Sequence, residues 1–143
     1  PNLLSKPVRV TADYVKNLGF NRSDMQERTG VAVTDGADIG YLAKVQMGPT
    51  ALRKGDWNAS LAYRYLGSDA VLDAFTNSDF GLGGTNNKGF TLGGNWGISK
   101  NTWLSARWMS SDLVDSTVPS QAGVGRSTKF SVDTLQLDLN ARF

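Results

Sequence analysis

The 143-residue chain contains no cysteine and no histidine. Disulfide staples, cysteine nucleophiles, the common zinc sites and every hydrolytic mechanism that relies on a histidine base are therefore excluded. Long apolar runs are missing too. None approaches the roughly 18 residues of a membrane-spanning helix, which excludes an α-helical membrane protein but not a β-barrel, whose strands alternate. An excess of one charge is also absent: 15 Lys and Arg stand against 13 Asp and Glu, and the net charge of +2 is spread without basic clusters. The sequence pI of about 9.1 thus gives no argument for nucleic acid as a partner. Hydrophobic residues at 40%, charged residues at 20% and 16 glycines fit neither a disordered nor a collagen-like chain and predict one domain over residues 1–143. The opening Pro1-Asn2-Leu3-Leu4-Ser5-Lys6 lacks an initiator Met, a basic segment and an apolar run. Either a signal has been removed or the chain is a piece of something longer.

What the sequence does contain is alternation. Six segments repeat with period two, each about the 9 to 11 residues that a tilted strand needs to cross a bilayer core. The first, 7–20, sets Val8, Val10, Ala12 and Tyr14 against Arg9, Thr11 and Asp13, with Lys16 interrupting the apolar face. The second, 38–48, sets Ile39, Tyr41, Ala43, Val45 and Met47 against Gly40, Leu42, Lys44 and Gln46. In the third, 56–67, Trp57, Ala59, Leu61, Tyr63 and Tyr65 oppose Asn58, Ser60, Ala62 and Arg64. The fourth, 89–99, places Phe90, Leu92, Gly94, Trp96 and Ile98 opposite Thr91, Gly93, Asn95 and Gly97. The fifth, 102–111, pairs Leu104, Ala106 and Trp108 against Ser105 and Arg107, and is flawed by Trp103 and Met109 on its polar face. The sixth is the most regular: Leu135, Leu137, Leu139, Ala141 and Phe143 alternate with Thr134, Gln136, Asp138, Asn140 and Arg142. No segment has a helical period as clean.

The connections alternate as well: long at 20–38, short at 48–56, long at 68–88, short at 99–102, long at 111–130. Long polar loops on one side and tight turns on the other are the asymmetry of outer-membrane barrels, with the short ends at the periplasm. In that arrangement Trp57, Trp96, Trp103 and Phe143 fall near the periplasmic strand ends. Phe20, Tyr41, Tyr65, Phe90 and Trp108 fall near the outer ends, giving two girdles at the headgroup level. The competing reading is a soluble β-sandwich or lipocalin-like barrel in which the same apolar face points inward. Alternation defines two faces but not which one is buried.

The closing Asp133-Thr134-Leu135-Gln136-Leu137-Asp138-Leu139-Asn140-Ala141-Arg142-Phe143 resembles the C-terminal strand by which outer-membrane barrels are recognised for insertion. Ser68-Asp69-Ala70-Val71-Leu72-Asp73-Ala74-Phe75, Asp79-Phe80-Gly81-Leu82-Gly83-Gly84-Thr85-Asn86 and Lys100-Asn101-Thr102-Trp103-Leu104 resemble the C-terminal region of the proteobacterial putative-porin family. The resemblance spans essentially the whole chain. It implies an all-β fold, about six strands of a larger antiparallel transmembrane meander barrel, in the outer membrane of a Gram-negative bacterium. It also implies family members considerably longer than this chain, and it assigns no functional residue except Phe143 as an assembly signal. Geometry agrees, since single-chain bacterial barrels have at least about 8 strands and an open edge in lipid is prohibitive. The first and last strands are therefore expected to pair with further strands, from the same longer chain or from others, and a homo-oligomer stays open. Outer-membrane lipid is the other expected partner.

If the polar face lines a lumen, its charges are Arg9, Lys44, Arg64, Arg107 and Arg142 against Asp13 and Asp138. This wall is mildly cationic; anion preference, neutrality and cation selectivity all remain open because further strands contribute. Asp69, Asp73 and Asp79 in the 68–88 loop match no calcium-loop spacing and read as turn chemistry. That loop, with Val71, Leu72, Ala74, Phe75 and Phe80, is unusually apolar and reads as self-packed, with a pore constriction or a contact to a neighbouring protomer as the alternatives. Neither a nucleophile with its base nor a phosphate loop is recognisable, so no catalytic residue, metal or cofactor is expected. The functional expectation is a passive diffusion channel for small hydrophilic solutes or ions, against a structural or receptor-type barrel without an open pore.

Overall fold

The computed structural model describes residues 6–30, 32–81, 83–116 and 131–142. Six strands form one sheet: β1 Val8–Lys16, β2 Ile39–Met47, β3 Trp57–Leu66, β4 Asn87–Gly97, β5 Thr102–Leu113 and β6 Ser131–Ala141. They run in sequence order with every neighbour antiparallel. The sheet does not close, and β1 and β6 are its edges. Each strand lies where alternation predicts one, because a period of two is satisfied only by the pleat.

The register aligns like with like across the meander. One row reads Val10, Val45, Leu61, Leu92, Trp108, Leu135; the next towards the short turns reads Val8, Met47, Ala59, Gly94, Ala106, Leu137; the one below that reads Trp57, Trp96, Leu104, Leu139. These rows hold no charged side chain. On the opposite face the rows read Asp13, Leu42, Arg64, Gly89, Ser111, Val132 and Arg9, Gln46, Ser60, Gly93, Arg107, Gln136.

The apolar face is the exposed one. Val10 is 73% exposed, Leu139 70% and Trp96 58%, and the buried hydrophobic set among the described residues is only Ala37, Leu66, Ala70, Phe80 and Met109. Leu66 and Met109 lie on the polar face, where Asn58, Asn87 and Ser111 are also buried. A soluble sandwich or lipocalin-like barrel buries its apolar face; here the polarity is reversed.

Several boundaries and one connection differ from expectation. The first strand ends at Lys16 and not at 20, because the Asn17 side chain accepts from the Gly19 N–H at 3.0 Å and its carbonyl from Phe20 at 3.4 Å, turning the chain. The fourth strand starts two residues earlier, at Asn87. The long connection 20–38 contains a helix, α1 Arg22–Thr29, that period-two reading passes over. Asn21 caps it by accepting from the Asp24 N–H at 3.3 Å, and Gly30, at φ 66°, ends it by donating to Gln26 O at 2.9 Å. Its eight residues carry only one apolar side chain, Met25, so no 3.6-residue period is visible.

Candidate functional site

The polar face carries the charges expected of a lumen wall. Arg9, Asp13, Lys44, Arg64, Arg107 and Asp138 all share it by register, and Arg142 continues the same alternation beyond β6, its N–H donating to Asn101 O at 2.8 Å. Among the described residues none of these seven forms an ion pair; the three that occur, Lys16–Asp38, Arg22–Asp35 and Arg28–Asp24, lie at the long-connection end. Five cations and two carboxylates without mutual pairing give this wall a positive field that salt screens over about 8–10 Å.

Arg64 is the most constrained of the set. Its Nη2 donates to Asn87 Oδ1 at 2.6 Å, its guanidinium carbon lies 4.3 Å from the centroid of the Phe80 ring, and its buried Nε has no partner. Phe80, 3% exposed, comes from the 67–86 connection, so that connection folds back over the polar face. Gly81 lies so close that a Cβ there would meet Asn87 Cβ and Ser111 Oγ at 3.3 Å, and its φ of 64° favours glycine. Met109, one position along β5 on the same face, is 2% exposed. The flaw that Met109 introduces into the alternation is thus an apolar position covered on the polar face.

The 67–86 connection is held by its own polar groups. Asp73 Oδ1 accepts from the Thr85 N–H at 2.8 Å, Thr76 Oγ1 accepts from Gly84 N–H at 3.0 Å, and Ser68 Oγ donates to Asp69 Oδ2 at 2.6 Å. Two of the three carboxylates considered above thus accept bonds inside the loop, as turn chemistry requires. Leu72 and Phe75 remain exposed at its tip. The connection is also tied to its neighbours: Asn17 Nδ2 donates to Asp69 O at 2.8 Å, and Asn86 and Asp115 exchange two bonds, Nδ2 to Asp115 O at 2.7 Å and Asp115 N to Oδ1 at 2.9 Å.

At the short-turn end a polar ladder crosses four strands. Asn58 Nδ2 donates to Pro49 O at 2.9 Å, Asn95 Nδ2 to Asn58 Oδ1 at 2.7 Å, Ser105 Oγ to Asn95 Oδ1 at 2.6 Å and Asn140 Nδ2 to Ser105 Oγ at 3.1 Å. The β2–β3 turn packs so tightly on Gly97 that a Cβ there would lie 2.0 Å from Arg53 O. Between these turns lies an open cleft of about 450 Å³ lined by Leu52, Asn58, Asn95, Lys100, Trp103 and Arg142 among others.

The aromatics divide. Trp57 pairs with Trp96 on the apolar face at the short-turn end, whereas Trp103 pairs with Gly97 and Asn140 on the polar face and lines the cleft. Tyr41 and Tyr65 pair and stack at 5.2 Å, and Phe90 pairs with Tyr63 at 4.8 Å. Tyr14 completes that upper row by pairing with Tyr41; Tyr14 and Tyr63 share the parity of the predicted set and were legible from it. Trp108 sits in mid-face between Leu92 and Leu135, and Phe20 lies in the connection after β1. Phe143 lies outside the described residues.

An open antiparallel meander that turns three uncharged apolar rows outward and sets Arg9, Lys44, Arg64 and Arg107 on the other face is a segment of a transmembrane-type β-barrel wall. A family model described as a putative porin matches residues 4–143, and the chain belongs to that family. No curated protein and no solved structure matches the chain. Its role is accordingly porin-like at the level the family defines.

Proposed function

We propose that this chain forms part of the wall of a passive diffusion channel for small hydrophilic solutes or ions in the bacterial outer membrane. The observation that carries the reading is the polarity of the sheet: three uncharged rows exposed, with Arg9, Lys44, Arg64 and Arg107 on the opposite face. From Trp57 to Tyr65 is eight residues, about 27 Å along the strand and about 21 Å along the membrane normal at a 40° tilt, close to the ~25 Å apolar band of such barrels. Trp57 and Trp96 below and Tyr14, Tyr41, Tyr63, Tyr65 and Phe90 above then mark the two headgroup levels. The free edges of β1 and β6 take further strands, because unpaired backbone groups in hydrocarbon cost several kcal/mol each.

Reconstituted in a planar bilayer, the protein should give stable ohmic steps. The cationic wall is tested by reversal potential in a salt gradient: Lys44→Glu with Arg107→Glu shifts it towards cation preference, a direction independent of what other strands contribute. Well-folded protein without conductance would overturn the channel and favour a structural or receptor-type barrel, a reading supported by the bonding of three long connections through Asn17, Asn86 and Asp115.

A further inference from the structure

We infer that the cleft at the short-turn end binds a small organic anion, a carboxylate attached to a flat or apolar body, as the solute's docking point at the channel mouth. The inference deepens the channel reading, since it takes the polar face as water-filled. The lining has two kinds of group in one place. Its charged members are Lys100 and Arg142, both exposed; among the described residues neither has an ion-pair partner and no carboxylate lines the cleft. Its aromatic member is Trp103, the one tryptophan turned to the polar face. Trp103, aligned with Gly97 and Asn140, is half-buried and lines the cleft.

The floor is rigid and donor-rich. Asn58, 8% exposed, and Asn95 are each fixed by the ladder of hydrogen bonds that runs from Pro49 to Asn140. Each carboxamide nitrogen carries two N–H groups and uses one in that ladder, so one on each remains for a ligand. Both Asn oxygens are occupied as acceptors within the ladder. The cationic side chains and amide donors satisfy an anion's lone pairs, and charge-assisted bonds are roughly twice as strong as neutral ones. Trp103 and Leu52 offer apolar surface to the rest of the molecule, and an indole face favours a flat one. A cation is disfavoured by the same groups, and a free inorganic anion gains nothing from the ring.

The test titrates the intact folded protein in detergent with benzoate, benzamide, acetate and inorganic phosphate by calorimetry, in parallel with conductance. Benzoate should bind about tenfold more tightly than its neutral isostere benzamide and than acetate or phosphate. Trp103→Ala and Lys100→Gln should each weaken benzoate about tenfold or more, Trp103→Phe should retain it, and Lys100→Gln, in an exposed turn, leaves the fold untouched. Equal binding of benzoate and benzamide, or benzoate affinity within about twofold of the parent in Lys100→Gln and Trp103→Ala, would overturn the cleft. Failure of the channel reading looks different: benzoate binds with the same selectivity but no current passes.

Discussion

Leu137 and Asp138 are neighbours with opposite tasks. Leu137 is 66% exposed on the apolar face, between Leu135 and Leu139, while Asp138 lies on the charged face opposite Ser105. A charge at the first position must be placed in hydrocarbon, so Leu137→Arg should destabilise the folded protein in vesicles by about 2–4 kcal/mol. Asp138→Arg should change it by no more than about 0.5 kcal/mol, as an exposed polar-side substitution does. Urea unfolding of both variants in lipid vesicles checks the pair; equal effects would remove the distinction between the faces. At this scale the sequence was legible wherever a side chain answers only to its own strand. Met109 and Trp103 were not, because each faces a segment that returns over the polar face from elsewhere: the 67–86 connection for Met109, and the short turns for Trp103. Alternation encodes which face a residue is on, not what lies above it.

Among the elements, the strands were legible and α1 was not, for one physical reason. A strand advertises itself by the contrast of its two faces, and the six strands here have that contrast. An eight-residue polar helix has no such contrast, and only its caps, Asn21 and Gly30, mark it. The 67–86 connection packs on itself through Asp73, Thr76 and Thr85 and also lays Phe80 on Arg64. Its closing residue Asn86 is 2% exposed, holds φ at 60° and makes the two bonds with Asp115. Asn tolerates that backbone; alanine pays about 1–2 kcal/mol for it and loses both bonds. Asn86→Ala should therefore speed proteolysis of the long connections while leaving the strand circular dichroism unchanged. Unchanged cleavage would mean that the tie does not hold the loops.

For the whole molecule, the pattern in the sequence defined six strands, their meander and the sorting of long and short connections, but not which face is turned outward. That sense depends on where the loops return and on what solvent surrounds the sheet, and neither is written in a period of two. The exposed apolar rows, with the 67–86 connection folded over part of the polar face, point to it. Absence of cysteine makes it directly measurable. Single substitutions Ser60→Cys, Leu61→Cys, Thr91→Cys, Leu92→Cys, Leu135→Cys and Gln136→Cys, placed on the two faces of β3, β4 and β6, are treated in the native membrane with a small water-soluble thiol reagent. Labelling at 60, 91 and 136 with protection at 61, 92 and 135 is the predicted result. Labelling in the opposite phase, or equal labelling on both faces, would contradict a water-lined polar face and a lipid-facing apolar one.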